Sequence, residues 1–231
     1  MRLKLILLLL LLSPVCASAQ TGTPAPVQET NPQPSTSAPL SYGLVVDNSG
    51  SLRSILDTVI DAAKVFVEGS GDDDEGFVIR FVSSHQITLL RDFTSNKRAL
   101  YYALDEMYVE GGQTAIIDAL YTAAEHLSKG AGGSGERAGR VRALVLLTDG
   151  EDRASQHKEA KLFELLREQK IKVFVLGFPE MVRKNGGSKK DFERATAFLN
   201  QLAKETGGHT IIVRDMSQLR AGAGELLRHM R

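Results

Sequence analysis

Three short stretches of the chain concentrate the side chains that can do chemistry. Asp47-Asn48-Ser49-Gly50-Ser51 supplies a carboxylate and two hydroxyls within five residues, Thr114 follows closely on Gly111-Gly112, and Thr148-Asp149-Gly150 supplies a second carboxylate. Asp47, Ser49, Ser51, Thr114 and Asp149 are all hard oxygen donors, a set that Mg²⁺ or Mn²⁺ takes octahedrally. Each has an ordinary role when read alone. Ser51 and Thr114 are natural helix caps, although position 54 is Ser54, so the reciprocal Glu of a capping box is missing. Asp149-Gly150 is a natural turn. It is the joint occurrence of the five that points to a metal.

Other chemistries lack their residues. The chain has no G-x-x-x-x-G-K-[ST], no H-E-x-x-H and no G-x-S-x-G. Gly133-Ser134-Gly135-Glu136-Arg137-Ala138 fits a dinucleotide fingerprint in letters only, because it precedes a strand where the real motif follows one. His85, His126, His157, His209 and His229 are scattered without ligand spacing. Asp72-Asp73-Asp74-Glu75 reads as a solvated turn rather than a secondary Ca²⁺ site. Glu151 and Asp152 lie close to Asp149 and read more as solvent-facing acids than as tuners of the candidate site's rim, and residues 183–190 read as an exposed basic loop.

The elements that must position these residues alternate. Apolar runs at 42–46, 77–82, 86–93, 142–147, 172–178 and 209–213 read as six strands. Leu52, Ile55, Leu56, Val59, Ala63 and Phe66 recur at spacings of three and four, predicting a helix from position 52. Further helices are predicted near 97–108, 115–127, 156–169, 191–204 and 217–229. The gap between 82 and 86 is too short for a parallel crossover, so those strands form a hairpin whose second strand lies at a sheet edge. The expected fold is α/β: a Rossmann-like, doubly wound, mainly parallel six-stranded sheet with one antiparallel edge strand and helices on both faces. In such sheets sites gather beyond the carboxyl ends of strands, which is where the first and third stretches fall, with Thr114 between them at the start of a helix.

At those residues the chain closely resembles the von Willebrand factor type A family. D-x-S-x-S at 47–51, a threonine after a Gly-Gly loop, and T-D-G ending an apolar strand match that family's metal-ion-dependent adhesion site, with all five ligand positions filled. The resemblance implies that Ser49 and Ser51 bind Mg²⁺ (or Mn²⁺) directly. Thr114 would be a switchable ligand, and Asp47 and Asp149 would act through water. It further implies a partner protein whose exposed Asp or Glu completes the coordination, in adhesion or assembly, with no enzymatic activity. The alternative is a metal-dependent hydrolase of phosphate or ester substrates. A haloacid dehalogenase-type hydrolase resembles D-x-D after its first strand, but Ser49 stands where the second aspartate belongs.

The 231 residues, 42% hydrophobic and 24% charged, suit one mid-sized folded domain, expected over 41–231. Residues 1–19 read as a cleaved signal peptide, with basic Arg2 and Lys4, an apolar run at 5–12, and Ala17 and Ala19 before the cut. That run is shorter than the roughly 20 residues of a membrane span. Cys16, the only cysteine, follows Val15 rather than the small residue of a lipoprotein signal, so lipid anchoring is not expected. Residues 20–40 read as a Pro/Thr/Ser-rich disordered linker. The expected location is secreted or periplasmic, with no membrane span in the mature chain. The 28 basic and 28 acidic residues favour neither nucleic acid nor an anionic membrane.

Overall fold

The computed structural model describes residues 38–131 and 139–231. At its centre runs β1 (Leu40–Asp47), buried along its whole length as an apolar strand covered on both faces must be. It pairs in parallel with β2 (Glu75–Phe81) on one side and β4 (Val141–Thr148) on the other. β3 (Ile87–Thr94) runs antiparallel to β2 at the edge, and β5 (Ile171–Gly177) and β6 (Thr210–Ile212) extend the other side in parallel. The order β3-β2-β1-β4-β5-β6 is the mainly parallel, six-stranded arrangement expected, antiparallel edge included. Strand order reverses between β1 and β4, and a crevice opens at such a point beyond the strands' carboxyl ends.

Alternation along β1 divides the core. Tyr42, Leu44 and Val46 pack with α1 (Leu56–Glu68), α2 (Lys97–Asp105) and α7 (Leu219–Met230), while Val45 packs with α3 (Ile116–Ala131), α4 (Glu159–Glu168) and α6 (Lys189–Thr206). Helix α1 shows why these segments coil. Leu56, Val59, Ile60, Ala63, Phe66 and Val67 form a buried stripe, with Asp57, Asp61 and Glu68 on the wet side. Burying a side chain the size of Phe66 contributes about 1.5–3 kcal/mol.

Several boundaries differ from the sequence reading. The first helix does not start at 52: residues 50–52 form a 3₁₀ turn, and α1 begins at Leu56 with no side-chain cap. α2 stops at Asp105, which frees Tyr108 for the site loop. Within the expected loop at 183–190, a short helix α5 (Glu180–Lys184) continues through Lys184, and Ser188 with Asp191 forms a capping box that starts α6. The acidic stretch at 72–75 is not a solvated turn throughout. Asp74 is buried, accepting from Leu40 N at 2.8 Å, Gly71 N at 2.6 Å and the Arg231 guanidinium, and Glu75 belongs to β2. The expected signal segment 1–19, linker residues 20–37 and the Gly-rich residues 132–138 lie outside the described residues. Among the described residues no helix is long and apolar enough to cross a membrane.

Candidate metal site

β1 delivers Asp47 at its last position, fully buried. Its Oδ1 accepts from Ser49 N at 2.9 Å, and its Oδ2 accepts from the Thr148 hydroxyl at 2.6 Å. The chain then turns through 3₁₀ geometry, Leu52 N bonding to Ser49 O at 3.1 Å. Ser49 stands at the start of that turn, yet its hydroxyl caps nothing. Instead Ser49 Oγ lies 2.9 Å from Ser51 Oγ. Adjacent oxygens of an octahedral Mg²⁺, with bonds of 2.0–2.1 Å, are about 2.9 Å apart, so the two hydroxyls match one edge of that polyhedron. The Ser51 hydroxyl also acts to lower the Asp149 carboxyl.

Two other loops close around this turn. Asn48 ties the segment ahead of Thr114 to β1: its Nδ2 donates to Tyr108 O at 2.8 Å and its carbonyl accepts from Glu110 N at 3.1 Å. Arg80 adds an ion pair to Glu110 at 2.6 Å and lies over the Tyr108 ring at 4.5 Å. Gly112 has φ +152°, and a Cβ there would meet Val82 Cγ1 at 2.6 Å. On the other side Thr148 ends β4 and Asp149 follows it, buried. Gly150 has φ +87°, a left-handed conformation that favours glycine, with Leu199 Cδ1 2.8 Å from where a Cβ would sit.

Ser49, Ser51 and Thr114 line one open cleft of about 290 Å³, together with Glu151, Arg153 and Asn185. Asp47 and Asp149 are buried behind it, accepting from the Ser49 and Glu151 amides respectively. A larger cleft of about 490 Å³ adjoins, sharing Glu151 and Arg153, but none of the five candidate residues lines it.

Burial, reinforced by the charge of Asp149, pushes the Asp47 carboxyl up to about 7, against hydrogen bonds from Thr148 and Ser49. Burial likewise raises Asp149, against the Glu151 amide and the Ser51 hydroxyl. Two buried carboxyls share a space whose hydrogen-bond donors are neutral, an arrangement that a cation beside them relieves. Among the described residues no three His, Cys, Asp or Glu side chains group as a metal site. The chemistry on offer here is hydroxyl-rich and hard, which fits Mg²⁺ or Mn²⁺ and not a thiolate or imidazole metal.

Sequence reasoning found these five residues but missed their supports. Thr148 was visible only as a motif letter. Glu151 does reach the cleft, held by the Arg153 guanidinium at 2.5 Å. Asp152 turns from this cleft to the first amides of α3, and His157 pairs with Asp118 at 2.7 Å.

The chain matches the family described as von Willebrand factor type A domain over residues 43–223. No curated protein is similar enough in sequence to count as a match. Among solved structures it resembles an aerotolerance-related membrane protein from Bacteroides fragilis NCTC 9343 carrying multiple mutations to serines: 20% identity, 82% of this chain and 98% of that chain, TM-score 0.59. It resembles the pilus adhesin SpaC from Lactobacillus rhamnosus GG in its open conformation at 15% identity, over 84% of this chain and 30% of that one, TM-score 0.61. It also resembles proximal thread matrix protein 1 of the mussel byssus at 18% identity, over 82% of this chain and 47% of that one, TM-score 0.64. At such identities the likeness is one of fold.

Proposed function

This chain belongs to the von Willebrand factor type A family, and from that premise we propose that it is an exported module that binds a protein partner through Mg²⁺ or Mn²⁺. The observation that carries the reading is the Ser49–Ser51 hydroxyl pair, 2.9 Å apart in front of two buried carboxyls. Ser49, Ser51 and Thr114 would hold the cation directly, with Asp47 and Asp149 acting through water. When bound, the cation supplies a Lewis-acidic position for an anionic oxygen. With only hydroxyls contacting it, its charge stays largely uncompensated, and an exposed Asp or Glu of the partner is the ligand that position favours.

Binding suits the site better than hydrolysis. A hydrolase needs a base within reach of a nucleophile, and the two buried carboxyls are occupied by the Ser49 amide, the Thr148 hydroxyl and the Glu151 amide. Adhesion or assembly accords with a fold also used by a pilus adhesin and a thread matrix protein. Export rests on the signal-like residues 1–19, which favour a secreted or periplasmic location.

Thermal unfolding with and without metal tests the site. At a Mg²⁺ concentration 100 times the dissociation constant, binding stabilises the fold by about 2.7 kcal/mol. The melting temperature should rise with Mg²⁺ or Mn²⁺, return with EDTA, and respond little in Ser49→Ala/Ser51→Ala. A wild-type curve indifferent to all three additions refutes the reading.

A further inference from the structure

We propose that Asp152 and Asp118 are positioning residues that fix Thr114 relative to Asp149, and thereby set metal affinity without touching the metal. The inference rests on the metal reading above. Its basis is a clasp between two segments distant in sequence. Asp152, on the connection from β4 to α4, reaches across to α3: its Oδ1 accepts from Ile116 N at 2.6 Å and Ile117 N at 3.3 Å. Asp118, on α3, reaches back: its Oδ2 accepts from Gln156 N at 2.8 Å, and its Oδ1 from His157 N at 2.8 Å and His157 Nδ1 at 2.7 Å. Ser155 closes the gap, donating to Asp152 at 2.6 Å and accepting from Asp118 N at 3.2 Å.

Thr114 lies two residues before the first clasped amide and Asp149 three before Asp152. The clasp also grips Thr114 itself, whose carbonyl accepts from Arg153 N at 2.8 Å and Ala154 N at 3.1 Å. Capping α3 alone requires no more than a local side chain. Here the cap arrives from a separate segment and is answered in kind, with an anionic oxygen on the amides at each crossing. The consequence is mechanical: the Thr114 and Asp149 sides of the cleft are fastened directly to each other, while the 47–51 turn is held through separate bonds, from Thr148 to Asp47 and from Asn48 to Tyr108 and Glu110.

The experiment is Mn²⁺ titration of the full chain, reading free Mn²⁺ by electron paramagnetic resonance. Supports behind a metal ligand change affinity by about 10–100-fold. Asp152→Ala and Asp118→Ala should weaken Mn²⁺ binding about tenfold or more, and Asp152→Asn, which keeps an acceptor oxygen, should recover most of it. Ser155→Ala, a milder cut, should weaken it a few-fold and serves if the alanine variants do not fold. Asp74→Ala is the control, removing buried bonds at the far end of β1. It should lower the melting temperature and leave the Mn²⁺ dissociation constant unchanged. Equal affinity in wild type, Asp152→Ala and Ser155→Ala overturns the positioning role, as does an equal loss in Asp74→Ala. A wild type that binds no Mn²⁺ overturns the metal reading itself.

Discussion

The hydroxyl of Thr148 donates to Asp47 Oδ2 at 2.6 Å, joining the ends of two neighbouring parallel strands across 101 residues of sequence. Both side chains are fully buried, so water cannot replace the bond. Thr148→Val keeps the shape and removes the donor, leaving a buried carboxyl with one partner fewer. Such losses cost about 1–3 kcal/mol. Urea denaturation in EDTA should show a loss of that size, with weaker Mg²⁺ stabilisation besides. A change of only a few tenths of a kcal/mol would mean that the bond is dispensable.

The raised Asp47 carboxyl gives the metal-free protein a distinctive pH response. Its folded value of about 7, set by burial and then by Asp149, lies above the ordinary carboxylate value of 3.8. Between about 4 and about 7 the folded state therefore holds a proton that the unfolded chain releases, so this residue's contribution to stability falls as pH rises. Asp47→Asn cannot ionise. In EDTA, wild type should lose stability relative to Asp47→Asn across that window, and at pH 8 the variant should be the more stable. Adding Mg²⁺ should rescue wild type alone. Parallel pH profiles for the two proteins would rule out the raised value.

How much of this was legible in the sequence follows from the range of the forces involved. β1 and β4 were readable because buried parallel strands are apolar nearly throughout and end abruptly in Asp47-Asn48-Ser49 and Thr148-Asp149-Gly150. Oxygen-donor type at the strand ends and the family resemblance singled out the five candidate ligands. The five residues of α5 are too few to display a helical period. Residues 52–55 carry the apolar spacing of a helix, but Ser49 to Leu52 is committed to the turn that presents the two hydroxyls. Asp74, Asp118 and Asp152 look like surface acids in sequence. Their partners are backbone amides and an arginine on other segments, and no local pattern encodes those meetings.

Asp74 should govern the acid limb of stability. Burial works to raise its carboxyl, but bonds from Arg231, Leu40 N and Gly71 N outweigh it and hold the group below the usual range. A lowered folded value means stabilisation that is present above about 4 and lost as pH falls through the folded value. Asp74→Asn should cost about 1–3 kcal/mol at pH 7, and the gap to wild type should narrow toward pH 3. Urea midpoints measured in EDTA at the two pH values decide it; a gap that does not narrow would show that the ionised form contributes nothing.

On the proposed function, Thr114 joins the metal to the partner. It is nearly buried at the cleft wall, and its carbonyl is pinned by Arg153 N and Ala154 N, so its hydroxyl is presented by a fixed backbone. Thr114→Ala deletes one hydroxyl and leaves Ser49 and Ser51 in place, so Mn²⁺ should still bind, several-fold more weakly. Binding of a peptide or partner through a single acidic residue should fall further, because that carboxylate shares the coordination sphere the threonine helps to shape. Replacing the ligand's Asp with Asn should do comparable damage, and the two changes together should cost less than their sum, since both act through one cation. Isothermal titration of the four combinations in Mg²⁺, repeated in EDTA, measures the coupling. Strict additivity, or equal affinity in EDTA, would place the functional surface elsewhere on the domain.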